Sequence, residues 1–207
     1  NKLWNASRYV LMTCQKTKPS NDPSSKTLPE KWIKSILQEM MIKLNDALDN
    51  FRFDLATQTI YDFIWNEYCD WFLELSKIDL QDAGRDDSTK QSINSTLIST
   101  LESILRISHP FLPFITEEIW QNMPRSQSND QLSPTRTLML QRYPSPDQGL
   151  KCQDSENEID WLKKIVISIR SIRNDMKIEP SKNITIFIFP STNETKQRFL
   201  NIHSYIC

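Results

Sequence analysis

Glycine is almost missing from this sequence. Gly84 and Gly149 are the only two among 207 residues, so neither a G-x-G-x-x-G turn nor a phosphate-cradling P-loop can be assembled. Histidine is equally scarce: His109 and His203 are the only two, and no nucleophile is paired with a base. His109 sits in a proline- and aromatic-rich corner, where a structural role is expected. Four cysteines, Cys14, Cys69, Cys152 and Cys207, show no C-x-x-C spacing and no histidine within ligand range. That pattern argues against a metal site and against a disulfide framework, and it fits a reducing, cytoplasmic compartment. No apolar run approaches the ~18 residues of a membrane span, and the opening NKLWNASRYV lacks the basic-then-apolar layout of a signal peptide. A soluble chain without a membrane partner is expected, and its start at Asn1 suggests a fragment of a longer protein.

What is present is apolar residues at helical spacing. Hydrophobic residues make up 38% of the chain and aromatics 10%, enough for a real core. The densest aromatic cluster lies in Asp54 to Ile78, DLATQTIYDFIWNEYCDWFLELSKI, whose apolar residues recur every three or four positions. One long helix is predicted, with Ile60, Ile64, Tyr68, Trp71, Phe72 and Leu75 on a buried face and Tyr61 and Trp65 widening it. Asp62, Asn66, Asp70 and Glu74 form its solvated edge, and Asp54 is the candidate N-cap.

Four further helices of a bundle follow from the same spacing. Residues 2–14 place Leu3, Ala6, Val10 and Thr13 on a core stripe, with Asn1, Asn5, Arg8 and Met12 on another face. After a Pro/Ser-rich loop that ends near Leu28, Pro29 opens a helix whose row is Trp32, Ile36, Met40, Leu44, Ala47, Leu48 and Phe51. Residues 79–92 are polar and predicted to loop out, and Ile93, Leu97, Leu101, Ile104, Leu105 and Ile107 define the next helix. In HPFLPFITEEIW, residues 109–120, Pro110 stops that helix and Pro113 opens another. Phe111, Leu112, Phe114, Ile115, Ile119 and Trp120 are expected to plug the end of the bundle. Glu117 and Glu118 suit the helix start electrostatically, and LML at 138–140 suggests a short strand. The bundle is thus placed at 1–143, a linker at 144–158, and the beginning of a small α/β unit at 159–207. That unit holds a helix from Ile159 to Met176, a strand NITIFIF at 183–189, and a helix in TKQRFLNIHSYI. A lone strand leaves its edges unsatisfied, so the unit reads as truncated.

Charge is distributed unevenly along the chain. Residues 1–34 carry seven Lys/Arg against two acids, residues 35–158 carry ten against twenty, and residues 159–207 carry eight against four. Basic ends that flank an acidic middle would attract a polyanion at the ends and repel it between them.

Four stretches, NKLWNASRYVL, YDFIWNEYCDWFLELSK, HPFLPFITEEIW and IRSIRNDMKIEPSK, stand in the order in which the valyl-tRNA synthetase family carries similar segments in its C-terminal part. The chain resembles that family along nearly its whole length, although EPSK stands where the family usually has PPSK. The resemblance implies a mainly α fold, a class I synthetase anticodon-binding helix bundle. In the family this bundle follows a catalytic domain with HIGH and KMSKS signatures and an inserted editing domain, none of which occurs here. It implies a module that binds the anticodon arm of valine tRNA, alone non-catalytic. Its parent enzyme would use ATP with Mg, and its partners would be that tRNA and the parent's catalytic and editing domains.

Anticodon bases are recognised by stacking on aromatic or Arg planes and by hydrogen bonds to base edges, with Lys/Arg on phosphates. The first helix and its loop offer Lys2, Asn5, Arg8, Lys16 and Lys18 for this. Trp4 or Trp32 would serve for stacking, although burial in the core is expected of both. The alternative function is a helical protein–protein interaction module, favoured by the acidic middle and the lack of a continuous basic stripe.

Overall fold

The structure, a computed structural model, describes residues 1–14, 26–124, 137–179, 182–190 and 192–206. It is mainly helical, and backbone contacts divide it into two compact units, Asn1–Cys152 and Gln153–Cys207. No helix among the described residues is long and apolar enough to cross a membrane.

In the first unit, α1 (Lys2–Cys14) buries Leu3, Ala6, Ser7, Val10 and Cys14. α2 (Leu28–Asp49) starts where its sequence requires. Pro29 sits in the first turn, and the Glu30 carboxylate reaches back to the Thr27 N–H and hydroxyl, both at 2.9 Å, the reciprocal bond of a capping box. Its other oxygen accepts from Ser92 Oγ at 2.6 Å and Thr96 Oγ1 at 3.0 Å. This fully buried carboxylate therefore fastens α2 to α5 (Asp87–Ser108). The predicted apolar row of α2 holds through Ala47, but Phe51 leaves it. The helix ends at Asp49, and Phe51 takes a left-handed turn conformation (φ 56°) with its ring 80% exposed.

The central helix runs without a break from Phe53 to Gln81, as α3 (Phe53–Asp62), a π-helical segment (Phe63–Phe72) and α4 (Leu73–Gln81). In the widened segment Leu73 N–H bonds the Tyr68 carbonyl five residues back, so residues five apart fall in register. Phe63 with Tyr68 and Ile64 with Cys69 are both buried in consequence, a register that apolar spacings of three and four do not reveal. Trp71 is only half-buried, whereas Tyr61 and Trp65 stack on each other at the surface, ring centres 5.3 Å apart. Asp54 is not the N-cap; it lies in the first turn and pairs with Arg52 at 2.8 Å.

The loop after α4 is shorter than predicted, because Asp86 caps α5 by accepting the Thr89 N–H at 2.9 Å. All six predicted apolar positions of α5 are buried. α6 (Pro113–Gln121) starts at Pro113 as predicted, but the predicted plug forms only in part, with Phe111, Ile115 and Trp120 half-buried. Ile119 is buried, whereas Phe114 is 90% exposed and Leu112 is also open. α6 packs on α5, α1 and the 138–140 turn, and Phe114 and Leu112 lie outside those contacts. His109 Nδ1 lies 2.8 Å from Thr116 Oγ1 and is structural. LML forms a 3-10 turn, not a strand. Leu138 is buried, and Glu117 holds the turn by accepting from Leu138 N at 2.9 Å and Thr137 Oγ1 at 2.7 Å. Residues 147–152 pack on α2 through Asp147 N to Gln38 Oε1 (2.8 Å), Cys152 N to Ser35 Oγ (2.7 Å) and the Lys151–Glu39 pair (2.6 Å).

In the second unit, α7 (Gln153–Asp175) and α8 (Asn193–Ile202) stand on either side in sequence of residues 182–190, which form neither helix nor strand. Arg198 joins the helices by bonding Glu158 Oε1 at 2.6 Å and lying over the Trp161 ring at 4.6 Å. The predicted strand at 183–189 does not form. A strand needs a neighbour to pair its N–H and C=O groups, and the described residues supply none, so no strand occurs among them.

Candidate nucleic-acid interface

α1 packs against α5, the π segment and α6, which leaves Trp4, Asn5, Arg8 and Met12 exposed. Between α1 and α6 lies an open groove of about 320 Å³, with Trp4, Arg8 and Met12 on one wall, Glu118 and Asn122 on the other and Ile119 in the floor. Trp4 is 42% exposed, so part of its indole is open to the groove it lines. Trp32, its rival for stacking, is 1% exposed and unavailable. Burial in the core was expected of both, and only Trp32 goes there.

Arg8 forms no ion pair or hydrogen bond through its side chain among the described residues, although Glu118 lines the same groove. The Glu118 carboxylate is likewise unpaired there; only its backbone carbonyl is used, accepting Asn122 Nδ2 at 2.8 Å. Its neighbour Glu117 is fully engaged, with Thr137, Leu138 and Gln121. An exposed aromatic face, an unpaired guanidinium and an unpaired carboxylate can stack on a flat ring and bond its edge from two sides.

The remaining sequence candidates separate. Asn5 is exposed on α1 but outside the groove lining. Lys2 is committed elsewhere: its ammonium donates to Trp65 O at 3.1 Å and Asp70 Oδ1 at 2.7 Å, and lies 4.0 Å from the Trp65 ring centre. Lys16 and Lys18 lie outside the described residues. Glu118 and Asn122 were not singled out from sequence for this role, since nothing local to α6 marks them. The Tyr61–Trp65 stack is a second exposed aromatic surface, with the Trp65 ring already engaged by the Lys2–Asp70 pair. Among the described residues no group of three His, Cys, Asp or Glu is placed to hold a metal ion.

Comparison with known proteins assigns the class. The family model for the anticodon-binding domain of tRNA ligase matches residues 30–188, which include the α6 wall of the groove. The chain belongs to this family. It is also similar to valine–tRNA ligase of Legionella pneumophila (strain Lens), 42% identical over 200 residues, with 96% of this chain and 21% of that protein covered. Valine–tRNA ligase of Psychrobacter arcticus is 35% identical over 195 residues, with 91% and 20% covered. The chain thus spans about a fifth of the length of these relatives.

Proposed function

We propose that this chain is the tRNA anticodon-arm binding module of a cytoplasmic valine–tRNA ligase. In this reading it holds valine tRNA while catalytic and editing domains of the parent protein carry out ATP- and Mg-dependent charging. The observation that carries the reading is the α1–α6 groove, lined by exposed Trp4 and by Arg8, whose side chain has no ion pair or hydrogen bond among the described residues, in a chain of the anticodon-binding family. Guanidinium and indole planes stack on unpaired bases, each stack contributing about 1–3 kcal/mol. No residue here is assigned to ATP or Mg, and the chain alone neither activates valine nor charges tRNA.

Affinity for valine tRNA against an unrelated tRNA tests the proposal. Tighter retention of valine tRNA is the expected result. Equal or absent retention of both would favour a helical protein-interaction module, for which exposed Phe114 and Leu112 would be the natural contact. Valine-dependent pyrophosphate exchange above background would overturn the non-catalytic assignment.

A further inference from the structure

We infer that residues 183–189, NITIFIF, pair edge to edge with the same residues of a second copy of this chain, in a two-stranded antiparallel ladder centred on Ile186. Exposure along the segment alternates: Ile184, Ile186 and Ile188 are 36%, 42% and 40% exposed, whereas Phe187 and Phe189 are 77% and 89% exposed. That is the period of an extended chain with one side partly covered. On the covered side Ile186 and Ile188 line an apolar groove of about 400 Å³ with Trp161, Ile165 and Ile169 of α7. Both ends of the segment are fixed. Arg173 Nη2 donates to the Lys182 carbonyl at 3.0 Å, and the Thr192 hydroxyl caps α8 by accepting the Thr195 N–H at 3.1 Å. Between these anchors the backbone N–H and C=O groups of residues 183–189 make no hydrogen bond among the described residues. A row of unpaired backbone groups is a template for another strand, and anchored ends reduce the ordering cost of pairing.

Self-complementarity selects a second copy as the partner. Ile186 is the midpoint of 183–189, so an antiparallel ladder centred there pairs all seven residues with themselves. Ile184 then lies opposite Ile188 of the partner copy and Ile186 opposite Ile186 of the partner copy, so isoleucine meets isoleucine on the α7 side. On the open side Phe187 meets Thr185 of the partner copy, an aromatic and β-branched pair of the kind that stabilises a ladder. No residue from 183 to 193 is charged, and in this register the Lys182 side chains of the two copies fall at opposite ends, so no like charges meet. The charges, prolines and bulges with which natural edge strands resist such pairing are missing from NITIFIF. Pro190, which lacks an N–H, stops the ladder at its end. The two-fold relation lets one patch serve both copies, and the isoleucines of the partner copy extend the apolar layer beside the α7 groove.

Sedimentation equilibrium of the whole chain, without tRNA, should show a concentration-dependent passage from one 24.4 kDa chain to two. Thr185→Lys combined with Phe187→Lys sets lysine against lysine twice in this register and should weaken association by roughly tenfold or more. Both side chains are exposed, so the circular dichroism of that variant should match the parent chain. Phe114→Lys, on the exposed apolar surface of the other unit, should leave association unchanged. The register is read by oxidation of single-cysteine variants in a chain carrying Cys152→Ser and Cys207→Ser, since Cys14 and Cys69 are buried. Ile186→Cys brings two Cα atoms to about 4.5–5.5 Å across the two-fold, within disulfide reach, and should give a covalent dimer. Phe189→Cys is the more exposed position, but its two copies lie six residues apart along the ladder, roughly 20 Å, and should not cross-link. A chain that stays monomeric at every concentration, association that passes beyond two copies or survives the double lysine variant, or cross-linking of Phe189→Cys as fast as Ile186→Cys would overturn the inference. None of these outcomes bears on the tRNA-binding role.

Discussion

The ammonium of Lys2 lies 4.0 Å from the centre of the Trp65 ring and 2.7 Å from Asp70 Oδ1. One cation thereby ties the start of α1 to the π-helical turns of the central helix. Partly exposed cation–π and ion-pair contacts each contribute about 0.5–1 kcal/mol. Lys2→Ala should therefore lower stability in urea by about 1 kcal/mol and affect RNA binding only by loosening α1. An unchanged urea midpoint with a shallower salt dependence of tRNA affinity would instead make Lys2 a phosphate contact.

Glu30 should tolerate little. Its carboxylate accepts bonds from Thr27, Ser92 and Thr96, and Glu30→Ala leaves these buried donors unsatisfied while removing half of a capping box. A loss of about 3 kcal/mol is expected, read as a shift in the denaturant midpoint. A loss below about 1 kcal/mol would mean that water replaces the carboxylate and that α2 and α5 are not fastened here.

In the π segment the core test falls on Phe72, which is fully buried, rather than on half-buried Trp71. Phe72→Ala should cost about 3–5 kcal/mol. Tyr68 stacks obliquely on it at 5.9 Å, and its hydroxyl is buried without a hydrogen-bond partner among the described residues. Tyr68→Phe removes an unsatisfied polar group and should be neutral or stabilising by up to about 1 kcal/mol. Destabilisation by Tyr68→Phe in calorimetry would show that the hydroxyl is bonded in solution.

Burial pushes the Cys14 thiol up to about 12 and Cys69 up to about 11. Both stay protonated in the native protein at pH 8, so Cys152, which is less buried, should react with a thiol reagent before either of them, which should label only on unfolding. Because the native state holds these protons more tightly than the unfolded chain, their contribution to stability is full below about pH 8.5 and declines as pH rises above it. Native-state labelling of Cys14 at a rate matching Cys152 would contradict the packing of α1.

Arg8 and Trp4 should act on RNA and not on folding, since both are exposed. Arg8→Lys keeps the charge but loses the planar, forked donor set, so tRNA affinity should fall even so. Trp4→Ala should weaken binding by about 1–3 kcal/mol with an unchanged melting temperature. If either variant acts only by unfolding the bundle, the recognition face lies elsewhere.

The sequence by itself determined the helical class, the starts of α2 and α6 at their prolines, the buried stripe of α5 and the family, because these rest on local spacing, local backbone restriction and ordered segments. It did not determine which apolar residues find a neighbour. Burial in the core was expected of both Trp4 and Trp32, yet Trp32 lies in the core and Trp4, beside the apolar stripe of its helix, lies at the groove, because burial depends on the helix that packs opposite. Phe114 is exposed for the same reason, whereas Phe51 left its predicted row because α2 ends before it. The segment at 183–189 has the composition of a strand, but a ladder needs a second strand that local sequence cannot provide. The groove itself was decided only by the tertiary structure. Arg8 and Glu118 stand more than a hundred residues apart in sequence, and whether two opposite charges pair or face each other across open space is a matter of how α1 and α6 are held on the bundle.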